Sequence, residues 1–164
     1  MSRAETIRGH AVVTQPGEGP SYWQPVPANG HADPKLVPAN TRCDALSMGY
    51  QTIAAGGRVR EHSHGTQVEL QICFRGRGRV VVDGQSHPLV PGTACFLGYD
   101  VKHEIINEGP EDLVMMWIVS PPGLEDFFAA IGRARHAGQP APAPFARPED
   151  VIGIERAMGM NDTV

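Results

Sequence analysis

Two histidines one residue apart, His62 and His64, constrain this chain more than any other feature. They lie in the strand-like stretch Gly56-Gly57-Arg58-Val59-Arg60-Glu61-His62-Ser63-His64, and side chains alternate across a strand, so the two rings share a face. A turn of Gly65 and Thr66 follows, and residues 67–74 then alternate and favour β structure. That segment reads as the adjacent antiparallel strand, which brings Glu69 within reach of both rings. A third histidine, His103, sits in another short β-like run, Val101-Lys102-His103-Glu104-Ile105-Ile106-Asn107. It joins the other three only where a sheet curls round to bring distant strands together. A barrel does that.

Three imidazoles and one carboxylate make a borderline-to-hard donor set that suits a divalent transition metal, with Fe preferred and Mn, Ni, Cu or Zn as alternatives. Polar groups converging inside a barrel need a compensating partner, and an ion supplies it. No cysteine stands in a ligand position, whereas closed structural sites are usually cysteine-rich tetrahedra. On an octahedral ion, four protein ligands leave two positions open for water, substrate or dioxygen.

This pattern resembles a known family. Gly56, five residues, His62-x-His64, four residues, Glu69, six residues and Gly76 is similar to the first cupin motif at full length. The second motif is present in altered form: Gly92, five residues, Gly98 and Asp100 where the family usually has Pro and Gly, then His103 and Asn107 at the usual spacing. The resemblance implies an all-β fold, a small double-stranded β-helix (jelly-roll) barrel, with His62, His64, Glu69 and His103 as metal ligands. Cupin dioxygenases with three histidines and one glutamate, the quercetinase-like type, are the members this ligand set most resembles.

The rest of the chain bounds the setting. At 164 residues it fits one domain, and 41% apolar with 20% charged residues is an ordinary soluble composition. A net charge of −4 with no dense basic run argues against nucleic acid or an anionic membrane surface as partner. The first eight residues lack the apolar core of a secretory signal, and no stretch is long enough to span a bilayer, so a cytoplasmic location is expected. Cys43, Cys73 and Cys95 show no C-x-x-C spacing and read as reduced thiols. Cys73 shares strand parity with Glu69 and Gln71 and is expected to face the interior.

Three regions follow in order. Residues 1–40 hold Pro16, Pro20, Pro25, Pro27, Pro34 and Pro38 and read as an extended N-terminal arm, with a short strand at Ala11-Val12-Val13-Thr14. Tyr22 and Trp23 are aromatic anchors that bury against the body of the domain or a neighbouring subunit, and a homodimer paired through these arms is the expected assembly. His10, His31 and His87 read as surface residues. Residues 41–122 form the barrel, with a hairpin at Asp83-Gly84. The apolar run Leu113-Val114-Met115-Met116-Trp117-Ile118-Val119 is buried, but either set of alternate residues can face the cavity. Residues 123–164 hold one or two C-terminal helices around a Pro-rich connector. The first spans 123–135, with Leu124, Phe127, Phe128 and Ile131 as its apolar stripe, and the second runs from about Pro148 to Met158.

The candidate catalytic residues are Glu69, Gln71, Tyr99 and Arg60. Glu69 beside a cation can alternate between ligand and general base. Gln71 shares its face and can meet a substrate oxygen, Tyr99 near the barrel mouth can donate a hydrogen bond, and the Arg60 guanidinium suits a carboxylate or enolate. The leading expectation is a metal-dependent dioxygenase acting on a small phenolic, enolic or diketone substrate. A non-redox lyase, isomerase or cyclase uses the same ligands, and a barrel that binds a small molecule without turnover is the third alternative.

Overall fold

Alternating burial along short β segments, punctuated by glycine turns, yields two facing antiparallel sheets. The computed structural model describes residues 9–162; residues 1–8, where no secretory signal was read, and 163–164 lie outside the described residues. The strands are β1 (Tyr22–Trp23), β2 (His31–Leu36), β3 (Ser47–Ile53), β4 (Arg58–His64), β5 (Val68–Arg75), β6 (Gly78–Val82), β7 (Gln85–Leu89), β8 (Ala94–Leu97), β9 (His103–Ile106), β10 (Leu113–Ser120), β11 (Arg133–Ala134) and β12 (Met160–Asp162). The helices are α1 (Pro38–Thr41), α2 (Leu124–Ile131) and α3 (Val151–Ala157). One sheet runs β11-β1-β2-β3-β10-β5-β8, the other β12-β4-β9-β6-β7. This is the double-stranded β-helix expected of the motifs.

The strand carrying the histidine pair and the strand carrying Glu69 are not neighbours. β4 pairs with β9 and β12, whereas β5 pairs with β10 and β8 in the opposite sheet. The short link after His64 therefore crosses the barrel instead of closing a hairpin. Alternation fixes which face a residue occupies but not which strand lies beside it, and both faces here look into one interior. Two motif glycines shape the turns: Gly56 takes φ +71, and at Gly76, at φ +89, an added Cβ would sit 2.5 Å from the Asp112 carbonyl oxygen. The Asp83-Gly84 hairpin forms as expected, with positive φ at both residues.

The proline-rich arm belongs to the sheet. β2 pairs with β3, and β1 joins β2 to β11. Trp23 is half-buried, Tyr22 packs on the core, and residues 11–14 form no strand. His31 is half-buried, not a surface residue: its Nδ1 lies 2.9 Å from Asp33 Oδ2 and its ring meets Trp23 edge-on.

β10 divides the interior. Met115, Trp117 and Val119 are 0% exposed, and Met116 and Ile118 on the other face are only partly buried, which settles the direction the sequence left open. One end of β10 packs Leu113 and Met115 with Ile53, Val80, Leu89 and Ile105; the other packs Trp117 and Val119 against Leu124, Phe127, Phe128 and Ile131 of α2. Each such side chain removed from water contributes roughly 1.5–3 kcal/mol. The apolar stripe on α2 is the expected one, but the helix stops at Ile131, short of Arg135. An added Cβ on Gly132 would lie 2.6 Å from the Phe128 carbonyl oxygen and 2.8 Å from that of Trp23. The next residues pair with β1, so Arg133 and Arg135 leave the helix end and lie over the rings of Phe145 and Trp23.

Candidate metal centre

The two sheets deliver the four candidate ligand side chains to one point. β4 presents His62 and His64 inward, and β9 opens with His103, in register with His62. From the opposite sheet comes Glu69, held on β5 between Val119 and Leu97. One donor atom from each of the four residues lies within 4.8 Å of the others. The side chains of His64, His103 and Glu69 are 2%, 1% and 1% exposed, so bulk water does not serve these polar atoms.

Backbone carbonyls set the ring tautomers. His62 Nδ1 lies 2.9 Å from the Arg60 carbonyl oxygen, and His103 Nδ1 lies 3.0 Å from that of Val101. Each ring donates Nδ1–H there and keeps an Nε2 lone pair for the centre. His64 Nε2 and His103 Nε2 are each 3.2 Å from the same oxygen, Glu69 Oε2. His103 Nε2 is out of line for a hydrogen bond, and both it and His64 Nδ1 are buried without a partner. Burial, then the neighbouring charges of His103 and His64, push His62 down to about 3. Burial opposes a charge on Glu69, but His103 and His64 outweigh it and hold the carboxyl well below the usual range. Burial likewise opposes a charge on His103, and the Glu69 carboxylate overcomes it, so the ring is raised. An anionic carboxylate facing lone-pair nitrogens, with orphaned polar atoms beside it, fits a divalent cation.

Gln71, two residues along the same face, donates from Nε2 to Glu69 Oε1 at 2.7 Å and leaves its own Oε1 buried without a partner. That amide fixes the carboxylate so that Oε2 turns to the histidines. A cavity opens beside Glu69, Gln71 and His62, walled by Phe127 and Phe128 of α2 and by Val26 and Pro27 of the arm. Arg60 also lines it, and its side chain is 36% exposed.

Tyr99 is not brought to the site. It is 61% exposed and does not line the cavity. Asp100 follows it at φ +59, taking a left-handed conformation where the family pattern has glycine, so the turn survives the altered motif. The Asp100 N–H donates to the His64 carbonyl, and Asn161 Nδ2 donates to Asp100 Oδ1. Tyr99 thereby stands at an outward corner.

Five polar residues of the cavity were not singled out in the sequence: Gln24, Gln51, Arg58, Arg147 and Glu155. Gln51 carries a usable signal, an amide at an alternate position of an apolar strand. Glu155 carries none, because its burial depends on a contact with Arg147 that no periodicity reveals.

Comparison with known proteins agrees with this geometry. Residues 49–119 match the Cupin_2 family, described as a cupin domain. The chain is 29% identical over 86 residues to "Polyketide synthase CurC" of Streptomyces cyaneus, covering 52% of this chain and 56% of that protein. Protein SchB of Streptomyces halstedii is 27% identical over 86 residues, covering 52% of this chain and 62% of its own length. The chain thus spans little more than half the length of these curated relatives. Among solved structures, a protein described as a predicted oxalate decarboxylase from Thermotoga maritima superposes with a TM-score of 0.59 at 21% identity, over 68% of this chain and all of that one. KdgF from Halomonas sp. gives 0.55 at 19%, over 63% of this chain and 89% of that one. Those two likenesses speak for the fold. No helix among the described residues is long and apolar enough to cross a membrane. The match of residues 49–119 to the cupin-domain model, the double-stranded β-helix and the histidine–glutamate cluster thus agree with one another.

Proposed function

We propose that this protein is a metal-dependent enzyme of the three-histidine, one-glutamate cupin type, acting on a small, oxygen-rich, enolisable substrate. The observation that carries the reading is the buried convergence of His62, His64, Glu69 and His103 beside a cavity. A divalent transition metal, iron first among Fe, Mn, Ni, Cu and Zn, would polarise a bound carbonyl or phenol oxygen and, if redox-active, engage dioxygen. Glu69 Oε2 takes the proton from the carbon or oxygen next to that carbonyl, and Gln71 holds the carboxylate in line through Oε1. The unpartnered lone pair of Gln71 Oε1 orients a substrate hydroxyl. Arg60 offsets negative charge developing on the substrate, and the phenylalanines of α2 exclude water.

Proton removal is common to two outcomes. Dioxygenase chemistry is the outcome the ligand type suggests. Similarity to a protein named a polyketide synthase supports a substrate with several carbonyls, and it favours as second reading a non-redox lyase, isomerase or cyclase. Metal analysis of protein purified without added metal, followed by oxygen uptake with flavonol and β-diketone compounds, separates them. Substrate-dependent oxygen consumption is expected for the first, oxygen-independent turnover for the second. A metal-loaded protein that turns over nothing leaves a small-molecule-binding barrel.

The same reading takes the protein as cytoplasmic, in keeping with three free cysteines, and as a homodimer. The outer face of β5 and β8 supports the dimer better than the arms do, since β2 is engaged by β3. There Leu70, Phe74 and Phe96 are 39%, 60% and 68% exposed, and an uncharged apolar face complements a copy of itself. Light scattering of Phe96→Glu should report a monomer.

A further inference from the structure

Three glutamines line the cavity beside the metal ligands, and they differ in what holds them. Gln24 donates from Nε2 to the carbonyls of Tyr22 and Phe128, at 3.2 and 3.4 Å. Gln71 donates to Glu69 Oε1. Gln51 of β3 is 6% exposed, yet among the described residues its side chain neither donates nor accepts a hydrogen bond. A glutamine kept for the fold is tied into it, as Gln67 is when its Nε2 donates to the carbonyls of Pro121 and Pro122. Burying an amide without a partner is costly, and an apolar residue of the same shape avoids that cost. The Gln51 amide is also not among the fully enclosed polar atoms, and the residue lines the cavity.

Small neighbours leave room in front of it. On the inward face Gly49 precedes Gln51 by two residues, and Ala32 of β2 stands opposite. An added Cβ on Gly49 would lie 2.5 Å from Trp117 Cζ2, so the indole takes the place of a side chain there and bounds the recess on that side. β10 separates β3 from β5, which sets Gln51 about 10 Å across the sheet from the strand of Glu69 and Gln71. Its partner on β10, Met115, faces Cys73 on the other side, so Gln51 stands two residues, about 7 Å, further along than Gln71. One cavity reaches both. A fused-ring molecule held by one oxygen at the histidine–glutamate cluster turns its opposite edge to Gln51, whose amide carries both donors and an acceptor.

We propose that Gln51 is a specificity residue: it hydrogen-bonds a second, uncharged oxygen, a carbonyl or hydroxyl, on the edge of the substrate far from the metal-bound one. The ligand class it selects is a fused-ring or folded polycarbonyl compound oxygenated at both ends. A site built to hydrogen-bond a substrate oxygen discriminates against the analogue that lacks it, because the buried amide then stays unpaired. The inference rests on the functional reading above for the end that points to the metal, and adds the group recognised at the other.

The test uses 2-naphthol and 2,6-dihydroxynaphthalene, which share a ring system and differ by one hydroxyl at the far end. In calorimetric titrations of the purified full chain, the diol is expected to bind roughly fivefold or more tightly, beyond the factor of about two that its symmetry supplies. Gln51→Met keeps the length of the side chain and removes its hydrogen bonding. It should bring the ratio down to about two, leave naphthol affinity unchanged and melt at or above the wild-type temperature, and Gln51→Leu should do the same. An amide that serves only the fold would instead lower the melting temperature and weaken both ligands together, and that result in both variants overturns the proposal. So does a wild-type ratio of about two or less, binding of neither ligand, or a ratio that survives both substitutions. Repeating the titrations on chelator-stripped protein keeps the two readings apart. A missing preference in protein whose affinities still depend on metal sinks only this inference, whereas a preference with affinities that metal does not change sinks the metal reading.

Discussion

The two ends of β10 use polar groups in opposite ways. At the Leu113 end, Asn107 is 1% exposed, and every hydrogen-bonding atom of its side chain is engaged. Its Nδ2 donates to the carbonyls of Ile53, Ala54 and Glu111, and its Oδ1 accepts from the Gly109 N–H. At the Val119 end, His64 Nδ1, His103 Nε2, Gln71 Oε1 and Glu155 Oε2 are buried with no partner. A domain that satisfies one buried amide completely and leaves these four atoms, with Trp117 Nε1, orphaned a few residues away has not failed to pack. The Asn107 end closes its own hydrogen bonds, and the histidine end holds the polar atoms that the proposed metal and substrate would complete.

The largest effect that tests this contrast is loss of the metal. His64→Ala is expected to lower ion content from near stoichiometric to a few per cent or less, measured by elemental analysis, with turnover falling in step. Stripping wild type with a chelator should lower its melting temperature, and re-adding metal should restore it. His64→Ala should show almost none of that shift.

Next comes the sealed end. Leu113 is 0% exposed, and Leu113→Ala should cost about 2–5 kcal/mol in denaturant unfolding while leaving metal stoichiometry intact below the transition. An unfolding loss accompanied by metal loss in the folded protein would show that the two ends are not independent.

Gln71→Leu keeps bulk and removes the hydrogen bond to Glu69 Oε1. Partners of ligating residues typically contribute 10–100-fold to metal affinity or activity, and a fall in turnover of that order is expected, with stability changed little. Smaller still is Asp33→Asn on β2. Burial opposes ionisation of Asp33, but hydrogen bonds from His31 and Ser21 overcome it and hold the carboxyl below its ordinary range. A depressed carboxylate stabilises the folded state above its unfolded pKa of about 4, and that contribution fades as pH falls through the folded value. The variant should therefore lose less than about 1 kcal/mol near neutrality, and the gap to wild type should close in acid. Tyr99→Phe, at an outward corner, should alter turnover less than about twofold.

The cluster of His62, His64, Glu69 and His103 was legible in the sequence because strand face and spacing, read with the resemblance to the cupin motifs, point to it. His62, His64 and Glu69 keep their parity whichever strands stand beside them. What alternation does not carry is partnership, which is why β4 and β5 read as neighbours and lie in opposite sheets. β2 was hidden by Pro34, a residue that argues against a strand, and it lies where the β2–β3 register shifts. The stripe on α2 gave the helix its face, but its end at Ile131 depends on Gly132 meeting the Trp23 carbonyl, a tertiary contact. Arg147 and Glu155 were invisible for the same reason: a connector and a short helix meet only because the barrel beneath them exists.

β12 lays Met160 opposite His64 and Asp162 opposite His62. Three residues thus shield the flank of the strand that carries His62 and His64, and without them that flank would be an open edge able to recruit a foreign strand. Affinity handles or deletions placed at the carboxyl end would act on the centre itself, and metal loss after such trimming would come from a frayed β4, not from any altered ligand.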